Sequence, residues 1–328
     1  QHYQQELHED GYNVYSFRDA SQLNKCLKSN TSCQNQPEWK HFMTFMKNSK
    51  QKGRHVVIST ESDWNHLSND TFLFAAYHDV FSSLDYHVRI VISYRPLYEY
   101  WPSLYFQQFN HYCGYSHVNV GEIPSFVDFL ENMNKTTQLR HPSYEALQHA
   151  RTYFHDVFIL PLSDELIKRF LCSAVIGASR ACKAAVNEEN AEHDAVENQR
   201  HSLQYDRLAQ AARSKGISQL PCKMLSNQTQ QRLQLSENQS SATQELATTC
   251  LNSSQLNWLW NKTLYYHHYM LPNNNETVQT DEELKVHFQK ASTTTLCQVN
   301  VEQVLVDRPE LFTEKKKKTQ IGGRIATP

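Results

Sequence analysis

The stretch His87–Gln108, HVRIVISYRPLYEYWPSLYFQQ, decides the reading of the fold. An apolar, β-branched run from Val88 to Ser93 stops at Arg95-Pro96, and an aromatic-rich helical pattern carrying Ser103 follows. This predicts a buried parallel strand over 88–94 that delivers Arg95 at its carboxyl end, just ahead of a helix over 97–110. In open α/β sheets that end of a strand is where ligands bind. Arginine is the side chain best suited to forking a phosphate. Arg95 and Ser103 are eight residues apart, a spacing that can bring both to one anion from one side of the turn and helix.

Two further apolar runs lie outward from this stretch. HVVIST (55–60) follows the turn Lys52-Gly53-Arg54, and 157–162 follows a helical pattern over 143–153. Between them, Asn69-Asp70-Thr71 offers a cap to a helix over 71–84. Residues 125–133 also read as helical. Strand and helix alternate, which is the pattern of a parallel α/β sheet, and the three strands are expected side by side. Residues 1–50 read as polar and mostly helical, with Trp39, Phe42, Met43, Phe45 and Met46 on an amphipathic face.

Beyond 163 the pattern turns helical, over 164–175, 178–189, 191–214 and 257–269. The Gln/Ser/Asn/Thr-rich segment 223–256 reads as an exposed excursion or a loosely packed helix pair. Residues 301–305 suggest a last short strand. The expected organisation is one domain over 1–310, with a helical, sequon-rich excursion at about 190–260, and a disordered basic tail over 311–328. There is no internal repeat.

Composition narrows the function classes. The chain has 328 residues and only 8 Gly, which argues against an all-β protein of tight hairpins. Net charge is −2. From Thr313 onward five basic residues face Glu314, a balance of +4, which leaves −6 on the rest. No basic stripe marks a nucleic-acid surface. None of the eight cysteines forms C-x-x-C. N-x-S/T sequons occur at Asn30, Asn69, Asn134, Asn227, Asn238, Asn252, Asn261 and Asn275, against about three expected by chance. That excess favours passage through the secretory lumen, where the cysteines can form disulfides; the alternative is that an Asn-, Ser- and Thr-rich chain makes sequons by accident. Cys172–Cys182 is the leading candidate pair, with Cys222–Cys250 and Cys26–Cys33 behind it. No signal peptide or membrane span is visible. The chain starts at Gln1, inside a polar helix-compatible segment, so its natural N-terminus is expected further upstream.

Three features sit at expected strand ends: Glu61 after HVVIST, Arg95, and Ser163-Asp164 after the third run. A carboxylate and an arginine at neighbouring strand ends can hold an acceptor hydroxyl and a phosphate together. Each also has a plain alternative. Glu61 could be a helix cap or a solvated acid, Arg95 an ion-pair or capping residue, and Ser103 a structural helix serine. Other chemistry is poorly represented. G-x-S-x-G, H-E-x-x-H and G-x-G-x-x-G are absent, no two histidines are spaced i, i+4, and no metal site is expected. His267-His268 reads as a surface or packing pair. The run Tyr98, Tyr100, Trp101, Tyr105, Phe106 reads as a helix packed on the sheet rather than a stacking platform.

RIVISYRPLYEYWPSLYFQQ resembles the 3′-phosphate-binding segment of P-loop sulfotransferases, and the chain as a whole resembles sulfotransferase-like proteins of diatoms and related algae. HVVISTE (55–61), HDVFILPL (155–162), FLCSAVIGASRAC (170–182), LYYHHYMLP (264–272) and CQVNVEQVL (297–305) carry looser echoes, over roughly 1–310. The resemblance implies a parallel-sheet P-loop core with a largely helical C-terminal half. It implies that Arg95 and Ser103 bind the 3′-phosphate of 3′-phosphoadenosine 5′-phosphosulfate (PAPS), and that Glu61 is the base that accepts the proton of a carbohydrate or tyrosine hydroxyl. The cosubstrate would be PAPS with no metal, and the acceptor a carbohydrate or glycoprotein. There would be no nucleic-acid partner, the location would be the Golgi lumen, and membrane attachment would come only through an N-terminal anchor outside the chain. One departure is large. The family's K-x-G/S-T-T-type cradle for the 5′-phosphosulfate is missing, and Lys28-Ser29-Asn30-Thr31-Ser32 matches it only superficially because no apolar strand precedes it. The expectation is an N-terminally truncated member. The competing readings are a luminal glycosyltransferase, weakened by the absence of D-x-D, and a non-catalytic relative that keeps the fold for binding.

Overall fold

The computed structural model describes residues 3–29, 33–59, 71–109, 113, 123–135, 141–162, 165–187, 197–239, 246–271 and 280–313. In chain order the elements begin with α1 (Gln4–Glu9), β1 (Tyr12–Tyr15), α2 (Phe17–Ser29), α3 (Pro37–Gln51) and β2 (His55–Ile58). Then come α4 (Thr71–Ser83), β3 (Arg89–Tyr94), α5 (Leu97–Phe109), α6 (Phe126–Lys135), α7 (Pro142–Tyr153) and β4 (Asp156–Pro161). The remainder is α8 (Leu166–Arg169), a π-helical turn Phe170–Ala174, α9 (Ser179–Asn187), α10 (Glu197–Ser214), α11 (Cys222–Gln239), β5 (Thr248–Cys250), α12 (Ser253–Met270), α13 (Asp281–Thr293), β6 (Cys297–Val299) and α14 (Val301–Asp307). The protein is mixed α/β and mostly helical.

The chain divides into two compact units. The first comprises Gln1–Tyr100, Met133–His193 and Leu256–Phe288; the second comprises Trp101–Asn132, Asp194–Gln255 and Gln289–Pro328.

The first unit holds two parallel strand pairs. β1 pairs with β2, Tyr12 opposite His55 through Tyr15 opposite Ile58. β3 pairs with β4, Arg89 opposite Asp156 through Tyr94 opposite Pro161. The expectation of three adjacent strands is therefore corrected: β3 and β4 are neighbours, but β2 takes β1 as its partner. β1 escaped the sequence reading because YNVY is four residues long, too short for a period to show, and sits in a polar stretch. Its entry is set by Gly11, whose φ of +88° turns the chain out of α1. β2 is started by the end of α3. Gly53, at φ +62°, donates to Lys50 O and Arg54 donates to Ser49 O, a Schellman closure that reverses the chain into the strand. A cluster of Leu7, Tyr12, Leu171, Val175 and Ala181 is buried in this unit. Asp10 receives the backbone N–H groups of Arg180 and Ala181 at the start of α9.

The second unit is built on α10, α11, the antiparallel pair β5–β6 and α14. Leu208, Ala212, Leu225, Val304, Leu311 and Phe312 share its core. Within the segment read as an exposed excursion or a loosely packed helix pair, one face of α11 is buried: Leu225 is fully buried, and the buried Thr229 hydroxyl is satisfied by the Leu225 carbonyl at 2.8 Å. That face tolerates polar composition because its buried hydroxyl bonds within the helix. The strand expected at 301–305 is corrected to the helix α14. Asn300 caps it, its Oδ1 accepting from Gln303 N at 3.1 Å, and the strand β6 ends just before. Leu311 and Phe312, where the tail was expected to begin, lie in the core; 314–328 are outside the described residues.

Four disulfides join Cys26–Cys33, Cys113–Cys222, Cys172–Cys182 and Cys250–Cys297. Two expected pairs are present, with Cα atoms 4.7 Å apart in Cys172–Cys182. Cys222–Cys250 is not formed. The β5–β6 register sets Cys250 directly opposite Cys297, and Cys222 pairs with Cys113. Among the described residues no helix is long and apolar enough to cross a membrane.

Candidate anion-binding site at the end of β3

The carboxyl end of β3 is fastened by three successive carbonyls. Ser93 O accepts from Ser143 Oγ at 2.7 Å, Tyr94 O from Leu162 N at 2.7 Å, and Arg95 O from His141 Nε2 at 2.7 Å. The roles on the imidazole follow from its other nitrogen. Nδ1 accepts the Ser143 N–H at 3.2 Å as the N-cap of α7, so the proton sits on Nε2 and is donated to Arg95 O. His141 is buried between Tyr94, Tyr100 and Tyr266, with ring centroids 5.1, 5.5 and 5.5 Å away. Burial holds its pKa down at about 4, against a smaller upward pull from the bond to Arg95 O. The imidazole is neutral, and it is a positioning group for the strand end.

Pro96 then lacks an N–H and fixes its own φ, and its carbonyl accepts from Glu99 N at 3.0 Å and Tyr100 N at 2.9 Å, opening α5. The carbonyls of Ser93, Tyr94, Arg95 and Pro96 are thus all engaged, and the Arg95 side chain extends from this fastened turn. It is half-buried, and among the described residues its guanidinium has no hydrogen bond or ion pair. The contrast with Arg89, at the other end of the same strand, is informative. Arg89 Nε lies 2.9 Å from Asp156 Oδ2, its cross-strand partner, and Nη1 reaches Ala174 O at 3.3 Å. Arg89 holds the strand pair together, whereas Arg95, just past the end of β3, has no charged partner among the described residues. A fastened backbone and a guanidinium with no partner among the described residues, at a parallel strand's carboxyl end, can receive a phosphate or sulfate.

The other sequence candidates are distributed differently. Ser103 is half-buried in α5 and belongs to the second unit, whereas Arg95 belongs to the first. Glu61, Ser163 and Asp164 lie outside the described residues. His267 is a buried packing residue with its ring 6.0 Å from Tyr94, and His268 pairs with Asp281 at 2.8 Å. Among the described residues no group of three or more His, Cys, Asp or Glu side chains could hold a metal ion. The aromatic run of α5 packs inward: Tyr98, Trp101 and Tyr105 are all buried. Burial pushes the Tyr94 hydroxyl far above its ordinary range, and the hydroxyl has no hydrogen-bond partner among the described residues. Sequence reasoning missed His141 and Ser143. Pro142 ahead of an amphipathic pattern marks a helix start, but nothing in the sequence says that the cap reaches back to β3.

Comparison of the chain with protein-family models, curated proteins and solved structures finds no match.

Proposed function

We propose that the carboxyl end of the β3–β4 pair binds the 3′-phosphate of PAPS, and that the protein is a sulfotransferase of the secretory pathway acting on a glycan hydroxyl. The observation that carries this reading is Arg95: a clamped backbone, a half-buried position and a guanidinium without a partner among the described residues. A 3′-phosphate would supply the missing counterion in the bidentate geometry that arginine favours. The role of Ser103 as a further hydroxyl donor to that phosphate rests on the eight-residue spacing in the sequence alone. Glu61 would take the proton of the acceptor hydroxyl as its oxygen attacks sulfur, a role that rests on the sequence alone.

The P-loop core belongs to the same proposal. β2 and β3 each keep one edge with no strand partner among the described residues. Val56, Val57 and Ile58 of β2 and Ile90 and Val91 of β3 are only half-buried. Such β-branched runs suit strands inside a parallel sheet covered on both faces. A further parallel strand seated between the two pairs would join them into one sheet, and the cradle for the 5′-phosphosulfate would follow its carboxyl end. Luminal residence is supported by the four disulfides and by the exposure of the sequon asparagines Asn227, Asn252 and Asn261.

A second reading is a non-catalytic relative that retains nucleotide or anion binding, since the fastened Arg95 bears on binding and not on transfer. Sulfate transfer from labelled PAPS to a carbohydrate acceptor by the natural full-length protein separates the two. Glu61→Gln should abolish that transfer and leave affinity for the nucleotide nearly unchanged. A Glu61→Gln protein that transfers at the original rate would overturn the assignment of the base.

A further inference from the structure

The second unit contains a cleft of about 450 Å³, within the size range of small-molecule sites. It lies among the Ile123–Asp128 segment, α10 and the β6–α14 turn. Val127, Ala211 and Val301 give it partly exposed apolar surface over the buried Phe126 and Leu296. The Ile123–Asp128 segment is fixed from behind. Ile123 N donates to Gln210 Oε1 at 2.7 Å, and Tyr105 OH donates to Pro124 O at 2.8 Å. The cleft is therefore preformed.

Arg207 of α10 lines it. Its Nη1 donates to Gln298 Oε1 at 2.6 Å, and the same oxygen accepts Phe126 N at 2.9 Å. The guanidinium is held in place by a neutral amide. Among the described residues it forms no ion pair, and its Nε is buried without an acceptor. Neither acid on the lining forms an ion pair with Arg207 among the described residues, although Asp128 keeps its charge. Asp128 accepts the Ser125 hydroxyl at 2.6 Å in the first turn of α6, and Glu302 pairs with Lys215 Nζ. The cleft thus presents a positioned cation with no ion-pair partner among the described residues, beside apolar surface. Holding a guanidinium in this state is unfavourable unless an anion completes it.

We propose that this cleft binds a small organic carboxylate, its carboxylate on Arg207 and its apolar body against Val127, Ala211 and Val301. This site is independent of the PAPS reading and uses none of its residues.

Calorimetric titration of the full chain with hexanoate, phenylacetate and their uncharged amides, hexanamide and phenylacetamide, tests it. At least one carboxylate should bind, and its amide should bind roughly tenfold more weakly or worse. Arg207→Gln should lower the carboxylate to the affinity of the amide, whereas Asp128→Asn should not weaken it. If Arg207→Gln does not fold, judged by circular dichroism, the acid-to-amide ratio on the unmodified protein decides. Acid and amide of equal affinity, retention of carboxylate binding by a folded Arg207→Gln protein, or no binding of either acid at millimolar concentration would overturn the proposal.

Discussion

His141 Nε2 lies 2.7 Å from the carbonyl oxygen of Arg95 while its Nδ1 accepts the Ser143 N–H, so a single neutral ring caps α7 and closes the end of β3. The residue that presents the candidate anion-binding charge is therefore positioned by a group that loses this arrangement when it gains a proton, because protonated Nδ1 can no longer accept.

That coupling predicts an acid-sensitive fold. Burial lowers the His141 pKa from 6.5 to about 4. The unfolded chain takes up a proton below about pH 6.5 that the folded protein refuses until near pH 4. The contribution of this site is thus complete above the upper value and declines as pH falls through the window, by on the order of 3 kcal/mol in full. Urea unfolding across the window should show that decline. His141→Gln should start lower at neutral pH and lose less on acidification. An identical pH slope in both proteins would refute the role given to His141.

The disulfide pattern makes a covalent prediction. Peptide mapping without reduction should recover Cys26–Cys33, Cys113–Cys222, Cys172–Cys182 and Cys250–Cys297. The sequence separations differ greatly, 109 residues for Cys113–Cys222 against 7 for Cys26–Cys33. On loop-closure entropy, replacing the first pair by serines should cost about 5 kcal/mol and the second about 2 kcal/mol. Recovery of a Cys222–Cys250 peptide would contradict the β5–β6 register.

The sequence made legible those parts of the fold whose side-chain pattern is long and regular. β3, β4 and the helices α4, α5, α7 and α12 were all anticipated to within a few residues. The four-residue β2 was read from the longer apolar run HVVIST, but β1, β5 and β6 were not, because a period of two cannot establish itself over YNVY, TTC or CQV. The segment 301–305 was misread because its spacing of valines and leucine fits a short apolar strand as well as one face of a single helical turn. Asn300 as the cap was the signal that could have told them apart. At the candidate site, the sequence singled out Arg95 and gave Arg89 no role. It could not show that Asp156 neutralises Arg89, since that ion pair joins residues 67 apart and exists only once β3 and β4 are in register. Arg207 was passed over for the same reason. Its significance lies in what surrounds it, a glutamine from β6 and no acid, and not in any motif.

The central claim is the proposal that Arg95, without a charged partner among the described residues, binds a 3′-phosphate. Calorimetry with 3′-phosphoadenosine 5′-phosphate and adenosine 5′-phosphate, on the unmodified protein and on Arg95→Ala, tests it most directly. A charge-assisted bidentate contact is worth on the order of 1.5–3 kcal/mol, so the unmodified protein should prefer the 3′-phosphorylated nucleotide by about tenfold or more. Arg95→Ala should remove most of that preference. Equal affinity for the two nucleotides in the unmodified protein, or an Arg95→Ala protein that still discriminates between them, would contradict the account.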